Sequence, residues 1–364
     1  MNITFIIPSM VPHGAEKVVL NLVNYFSNLD GYVVNIVILN CKKPNLINDI
    51  NKNINIICIN SKKVLFSIFK LKTIIKSLNS DIYISNLTHL NIIIAFLGFI
   101  MDKKVILVEH SNVIQATKNL SFLKKNMFRY LIKIAYRLVS NIITVSQYAK
   151  KELSSYVNKD KTNVINNPVY IDNENLICSN KINTKIEFLT IGRLVKAKRF
   201  DLMIESFTYL DYESKNYHLT IIGEGEEYTS LINKINIKKL DKYITIIPYQ
   251  NAENLYKMYQ RSNLFLVTSE NESFGNTIVE ALSFGLTVVA LNSIGGINEI
   301  LCHGKYGYIC KDINPKEYAN LIEDALENRF EKEILQQYAK NTFSIESIAS
   351  QYENILNTII GKNK

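Results

Sequence analysis

Short apolar runs alternate with amphipathic stretches along most of the chain. β-Branched runs at residues 3–7, 33–39, 54–59, 81–85, 104–108 and 141–145 predict strands, with helices between most of them. The first helix, residues 15–26, carries an apolar stripe of Val18, Val19, Leu22, Val23 and Phe26. Continuously apolar strands are buried on both faces, which marks a parallel sheet covered by helices. The pattern breaks at the turn cluster Asn166-Asn167-Pro168 and then resumes, with strands predicted at 186–191, 218–222, 244–247, 264–267 and 287–291. The chain therefore reads as α/β, with two Rossmann-like domains, residues 1–170 and 171–345. Helical segments from Pro315 onward close the second domain, and the last, 346–364, is expected to reach back to the first. Open parallel sheets bind ligands beyond the carboxyl ends of their strands. Polar clusters sit at those ends in both halves, so the two domains are expected to face each other across one cleft.

Composition agrees with this picture and narrows the class. A chain of 364 residues, 47% hydrophobic and 21% charged, is long enough for two cores and too apolar for disorder beyond its last few residues. Five cysteines (Cys41, Cys58, Cys178, Cys302, Cys310) are an odd number with no C-x-x-C pair, so neither a disulfide framework nor a zinc site is expected. A reducing cytoplasm is the expected compartment. The stretch from Met1 to Pro8 lacks the basic start of a signal peptide and reads as a first strand. The longest apolar run, Ile92 to Met101, falls short of the roughly 20 residues that span a bilayer, so no transmembrane segment is expected.

The net charge of +9 is unevenly placed. Residues 1–180 hold 21 Lys and Arg against 10 Asp and Glu, a balance of +11, while residues 181–364 hold 21 against 23, a balance of −2. Two acid-free segments concentrate the excess. Lys62 to Lys76 contains five lysines, and Lys118 to Arg137 contains six Lys and Arg among Phe122, Leu123, Phe128, Leu131 and Ile134. Basic amphipathic helices of this kind suit an anionic membrane surface, although each taken singly also fits a solvated helix face. Their partners in sequence are aliphatic rather than stacking aromatic residues, and no nucleic-acid module is visible.

The candidate chemistry lies at strand ends. Glu272-Ser273-Phe274-Gly275-Asn276-Thr277-Ile278-Val279-Glu280 places a glycine turn and two carboxylates where an apolar strand meets a helix, which offers free N–H groups to an anion and carboxylates to hydroxyls. Thr277 to Glu280 also fits a capping box that serves only the helix itself. Gly192-Arg193, followed by Lys198, opens a helix after the first strand of the second domain, and a guanidinium fork with a lysine there suits a diphosphate. Gly223-Glu224-Gly225 is an incomplete phosphate loop. Gly14, opening the first helix, allows either close approach of phosphate or only a tight turn. His110 follows an apolar strand, a place that also suits a plain packing residue.

These elements, in this order and over nearly the whole chain, resemble the retaining glycosyltransferases of family 4, which adopt the GT-B fold of two facing Rossmann-like domains. The elements are Gly14-Ala15-Glu16, Glu109-His110, Gly192-Arg193 with Lys198, Gly223-Glu224-Gly225, the E-x7-E run from Glu272 to Glu280, and Gly295-Gly296 with Glu299. The resemblance implies that Arg193 and Lys198 hold the donor diphosphate and stabilise it as it leaves, in place of a metal. It implies that Glu280 binds the ribose hydroxyls, and that Glu272 contacts the transferred sugar beside the N–H groups of Phe274, Gly275 and Asn276. His110 matches a histidine near the sugar's reactive centre. No D-x-D metal motif is present, and Asp211-Tyr212-Glu213 reads as a surface turn. No metal site and no cofactor are therefore expected, the nucleotide sugar being a substrate.

The expected function is transfer of a hexose or N-acetylhexosamine from a nucleotide sugar, UDP-linked, to a lipid-diphosphate-linked glycan in surface polysaccharide assembly. The enzyme is expected to be cytoplasmic and peripheral at the inner face of the plasma membrane. Attack on the same face as the departing diphosphate is expected. Two readings compete with it: a sugar-nucleotide epimerase or inverting transferase of the same fold, and a non-catalytic membrane-binding protein.

Overall fold

A computed structural model describes residues 1–41, 46–60, 67–110, 121–171 and 185–361. It divides into two compact units, one of residues 1–168 with 345–364 and one of residues 169–344.

Among the described residues, the first unit is built on a seven-stranded sheet in the order β3-β2-β1-β4-β5-β6-β7. The strands are β1 (Asn2–Ser9), β2 (Val33–Asn40), β3 (Asn55–Cys58), β4 (Ile82–Asn86), β5 (Val105–Glu109), β6 (Asn141–Thr144) and β7 (Thr162–Val164), and every pairing is parallel. Its helices are α1 (Gly14–Ser27), α2 (Ile68–Leu78), α3 (Thr88–Ile100), α4 (Phe122–Ala135) and α5 (Gln147–Leu153). The stripe read from the sequence is the buried face of α1: Val18, Val19, Leu22, Val23 and Phe26 are all buried. Ile6, Tyr83, Leu107, Ile132 and Tyr136 belong to the core beneath this sheet. The final helix of the chain (Ile345–Ile360) packs on α1, with Tyr32 donating to Glu353 at 3.3 Å.

The second unit repeats the plan. Its six-stranded sheet runs β10-β9-β8-β11-β13-β15, again all parallel. The strands are β8 (Ile186–Ile191), β9 (Tyr217–Ile222), β10 (Ile244–Ile247), β11 (Leu264–Val267), β13 (Thr287–Leu291) and β15 (Tyr308–Cys310). A separate two-stranded ribbon pairs β12 (Asn271–Glu272) with β14 (Ile294–Gly295). The helices are α6 (Phe200–Phe207), α7 (Tyr228–Ile237), α8 (Ala252–Arg261), α9 (Asn276–Ser283), α10 (Ile297–Ile300), α11 (Pro315–Glu327), α12 (Lys332–Phe343) and the last helix, α13 (Ile345–Ile360), which counts with the first unit. Two of their starts are capped by side chains. Asn251 caps α8 by accepting from the Asn254 N–H at 2.9 Å, and Asn314 caps α11 by accepting from the Lys316 N–H at 2.9 Å, with Pro315 fixing the first turn.

Counted along the chain, the six strands of the second sheet have the order 3-2-1-4-5-6, and the first six of the other sheet have the same order. This is the Rossmann order, and its reversal creates a switch point beyond the carboxyl ends of the first and fourth strands. The switch lies between β1 and β4 in one unit and between β8 and β11 in the other.

One expectation fails. Cys41 and Cys58 form a disulfide, with Cα atoms 6.1 Å apart. The odd cysteine count hid a pairing set by register: β2 and β3 are parallel neighbours, Ile38 lies opposite Cys58, and Cys41 follows the end of β2. Cys302 and Cys310 are free, and Cys178 lies outside the described residues. No helix among the described residues is long and apolar enough to cross a membrane.

Candidate active site

The second unit's switch point holds most of the predicted residues. After β8 the chain turns through Gly192-Arg193-Leu194 and tightens into a 3-10 turn, Lys196–Lys198. Leu194 is fully buried and anchors this loop, its N–H donating to Glu224 O at 2.8 Å and its carbonyl accepting from Glu227 N at 3.0 Å. Gly223 and Gly225 make that contact possible. A Cβ on Gly223 would stand 1.9 Å from Gly192 O, and one on Gly225 would stand 2.3 Å from Leu194 O. These glycines thus serve close packing of two loops. Arg193 is exposed, and its guanidinium has no partner among the described residues.

Lys198 and Glu272 are brought together. Lys198 Nζ donates to Glu272 Oε1, and the same oxygen accepts from Ser269 Oγ at 2.9 Å. The two side chains are 21% and 18% exposed, so the pair is shielded without being sealed. Backbone contacts fix its two halves: Thr268 Oγ1 donates to Lys198 O at 2.9 Å, and Glu270 N donates to Ala197 O at 2.8 Å. Glu272 itself lies in the β12–β14 ribbon opposite Gly295. Gly295 has φ +132°, and a Cβ there would stand 1.7 Å from Glu272 O, so only glycine fits this partner position.

The chain then turns into α9. Gly275 is the N-cap residue with φ +117° and makes no side-chain cap. The N–H groups of Phe274 and Gly275 find no acceptor among the described residues, as expected at a helix start. Phe274 itself is buried edge-on against Phe343, so it contributes backbone rather than side chain. The capping-box reading of Thr277 and Glu280 is corrected here. The helix begins at Asn276, which places Glu280 too far in to serve the first N–H groups, and its Oε2 accepts instead from Tyr259 OH at 2.8 Å. Tyr259 is buried and stacked on Phe284 at 5.1 Å, so α8 holds the Glu280 carboxylate in place.

His110 and Gly14 belong to the first unit. His110 follows β5, and its Nε2 lies 3.0 Å from Asn86 Oδ1 at the carboxyl end of β4. Asn86 Nδ2 donates to the carbonyls of Ile6 and Ile84, both at 3.4 Å, so its Oδ1 faces the ring and Nε2 carries the proton. Burial depresses the His110 pKa to about 4, which leaves a neutral ring with a lone pair on Nδ1. That Nδ1 is shielded from solvent and has no partner among the described residues. Just before it, Glu109 is fully buried, accepting from Thr88 Oγ1 at 2.7 Å, Asn91 Nδ2 at 2.8 Å and Tyr136 OH. Burial raises its pKa to about 7, against the lowering effect of those three donors. Gly14 starts α1 at an exposed position, but Glu16 is buried in the same first turn, accepting from Ser9 Oγ at 3.4 Å. That carboxylate already faces the helix's positive end.

Two family models match the chain. "Glycosyltransferase Family 4" matches residues 12–173 and "Glycosyl transferases group 1" matches residues 172–342, so together they run through both units. The chain is a glycosyltransferase that carries a family 4 domain followed by a group 1 domain. An uncharacterized glycosyltransferase of Haemophilus influenzae is 27% identical over 359 residues, covering 94% of this chain and 96% of that one. The capsular polysaccharide biosynthesis glycosyltransferase CapM of Staphylococcus aureus is 24% identical over 260 residues, 65% of this chain and 68% of that one. HepE from Anabaena, crystallised in complex with UDP, superposes with a TM-score of 0.80 at 18% identity, covering 98% of this chain and 100% of that one. That likeness shows the shared GT-B fold.

In this glycosyltransferase the predicted residues fall into two sets. Arg193, Lys198, Glu272, Phe274, Gly275, Asn276 and Glu280 share one strand-end region of the second unit, while His110 and Gly14 lie in the first. Sequence reading missed the residues that hold them: Ser269 for Glu272, Tyr259 for Glu280 and Asn86 for His110. Asn86 had a legible signal, a polar residue ending an apolar strand. Tyr259 had none, because it reads as a core aromatic. Among the described residues, no three His, Cys, Asp or Glu side chains cluster so as to hold a metal ion.

Proposed function

We propose that the protein transfers a hexose or N-acetylhexosamine, with retention, from a UDP-linked donor to a lipid-linked glycan in surface polysaccharide assembly. The observation that carries this reading is the Lys198–Glu272 pair at the β8/β11 switch point, whose lysine shares a loop with the unpartnered Arg193. Two cations and the N–H groups of Phe274 and Gly275, just before α9, suit a diphosphate, and Glu272 and Glu280 suit sugar and ribose hydroxyls. HepE binds UDP and, in further structures, UDP with glucose or UDP-glucose, and CapM acts in capsule biosynthesis; both support the assignment.

In the proposed reaction the bond from sugar C1 to the β-phosphate oxygen breaks, and its electron pair leaves with the nucleoside diphosphate. Arg193 and Lys198 neutralise that charge, which is the work a divalent cation does in other sites. The acceptor hydroxyl attacks C1 on the same face and gives its proton to the departing phosphate oxygen. Donor binding draws Lys198 away from Glu272, and the released carboxylate takes sugar hydroxyls. His110, neutral and with a free Nδ1, accepts a hydrogen bond from a sugar hydroxyl rather than acting as an acid. The basic segments Lys62 to Lys76 and Lys118 to Arg137 bring the enzyme to the membrane that carries the acceptor; residues 62–66 and 118–120 of these lie outside the described residues.

A thermal-shift screen of nucleotide sugars tests the donor, since only a ligand that prefers the native state raises the melting temperature. UDP-sugars are expected to do so. Anomeric analysis of the product by proton NMR tests retention: an α-donor must give an α-linked product, and a β-linked product refutes same-face attack.

A further inference from the structure

Helix α4 has two apolar faces, and the fold uses one. Ile132 and Ala135 are buried in the first unit's core, with Phe128 and Leu131 packed against it. Leu123, Met127 and Tyr130 point the other way and are 80%, 60% and 65% exposed, and Ile134 continues their line. The spacing i, i+4, i+7, i+11 makes a second straight stripe about 16 Å long at 1.5 Å per residue. Phe122, also exposed, lies at its start.

The stripe leads to a basic cavity. At the C-terminal end of α4 lies a cavity of about 360 Å³ whose lining includes Lys133, Arg137, Lys161, Ser154, Tyr156 and Asn158 and no carboxylate. Lys161 is fixed there, its Nζ donating to the carbonyls of Arg137 at 3.0 Å and Val139 at 3.1 Å. Lys133 and Arg137 are exposed and have no ion-pair partner among the described residues. Lys133 follows Tyr130 by three positions and Arg137 follows Ile134 by three, so apolar stripe and cations adjoin. From His110 to Lys151 the sequence contains no Asp or Glu at all.

We propose that this cavity binds the phosphate headgroup of an anionic phospholipid while the outward stripe of α4 enters the acyl boundary of the same membrane. An interfacial helix needs both a large apolar face and flanking cations, and α4 has them on one solvent-facing side. Three cations without a carboxylate match an anionic headgroup, and a free phosphate would leave the stripe without a partner. The inference rests on the membrane-facing part of the proposed function but not on its sugar chemistry. It also narrows the sequence reading of Lys118 to Arg137: Phe128 and Leu131 are committed to the core, and Met127 and Tyr130 take their place outside.

The test is sedimentation of the full chain with phosphatidylcholine vesicles that contain or lack phosphatidylglycerol. Binding is expected only with phosphatidylglycerol. Lys133→Glu/Arg137→Glu should weaken it at least about tenfold, since each basic residue near the surface contributes to attraction by anionic lipid, and Leu123→Ser/Tyr130→Ser should weaken it comparably. A charge-matched control, Lys311→Glu/Lys316→Glu in the second unit, should stay near wild type. All these positions are exposed, and circular dichroism checks that each variant is folded. The natural chain has no tryptophan, so Tyr130→Trp supplies one fluorophore, expected to shift to the blue on vesicles. If the Lys133/Arg137 variant loses no more affinity than the control, the site is wrong while membrane binding stands. If wild type binds neither vesicle, the membrane reading fails and the site with it. Displacement by free glycerol phosphate at lipid-equivalent concentration would make the ligand a soluble phosphate and overturn the proposal.

Discussion

Lys198 Nζ is bonded to Glu272 Oε1, so the cation proposed to hold the donor diphosphate is neutralised by the carboxylate proposed to hold the sugar. Each keeps the other from an unpaired charge in a shielded place until a ligand separates them. The pairing makes diphosphate binding a competition, and it predicts opposite effects on binding and turnover from one substitution.

Glu272→Gln frees Lys198. UDP should bind the variant roughly fivefold more tightly, corresponding to a partly exposed ion pair worth about 1 kcal/mol. Turnover should fall, because the sugar loses its carboxylate. Isothermal titration with UDP, beside steady-state kinetics, checks both. Weaker UDP binding would mean that Glu272 supports Lys198 and does not compete for it.

Arg193 is exposed and unpartnered, so its replacement costs the fold little. Arg193→Ala should lower turnover by at least about a hundredfold, the effect of removing one preorganised electrostatic donor, with an unchanged melting temperature. If Arg193 and Lys198 carry the neutralisation, a chelator such as EDTA should leave wild-type turnover unchanged. Loss of activity on chelation, restored by a divalent cation, would show that the two residues do not suffice.

Glu109 and His110, adjacent and both perturbed by burial, pull the pH dependence of stability in opposite directions. Glu109 is raised from 4.5 to about 7, so between those values the folded chain keeps a proton that the unfolded chain has released, and stability falls as pH rises. His110 is lowered from 6.5 to about 4, so in that window the unfolded chain gains a proton first, and stability falls as pH drops. Across the overlap the two nearly cancel, each on the order of 3 kcal/mol. Glu109→Gln removes one arm. Its melting temperature should drop more steeply than that of wild type as pH is lowered from 6.5 to 4.5. Parallel curves for the two proteins would contradict this account of the buried network.

The Cys41–Cys58 disulfide predicts a thiol count. Alkylation of the unfolded, unreduced protein should modify three of the five cysteines, and all five after reduction. Mass spectrometry reads the difference directly, and five modified without reductant would remove the bond. By the loop-entropy account, a closed loop of this size stabilises by about 3 kcal/mol.

Much of this architecture was legible because parallel strands are buried on both faces and so read as unbroken apolar runs. The strands that escaped notice, Thr162–Val164, Tyr308–Cys310 and the two-residue pieces at Asn271 and Ile294, are too short to show a period. At the site, Arg193, Lys198, Glu272 and Glu280 were singled out by the order of the elements along the chain and the family resemblance that order carries, since each pattern alone also fits a basic turn or a helix cap. What could not be read was who holds them. The link from Tyr259 to Glu280 depends on the packing of α8 against α9, and the link from Asn86 to His110 on neighbouring strands in the sheet; neither leaves a spacing in sequence. The same blindness produced the capping-box reading, since T-x-x-E gives a spacing while the helix start depends on Gly275. It also merged the two faces of α4 into a single amphipathic pattern.

Acceptor-dependent release of nucleoside diphosphate decides whether the protein moves sugar from a nucleotide to a lipid-linked glycan. Purified protein, mixed with UDP-sugars and lipid-linked acceptors extracted from membranes, should release UDP only when both are present, and Arg193→Ala should abolish most of that release. A folded wild-type protein that releases no nucleoside diphosphate from any common nucleotide sugar under these conditions would contradict it.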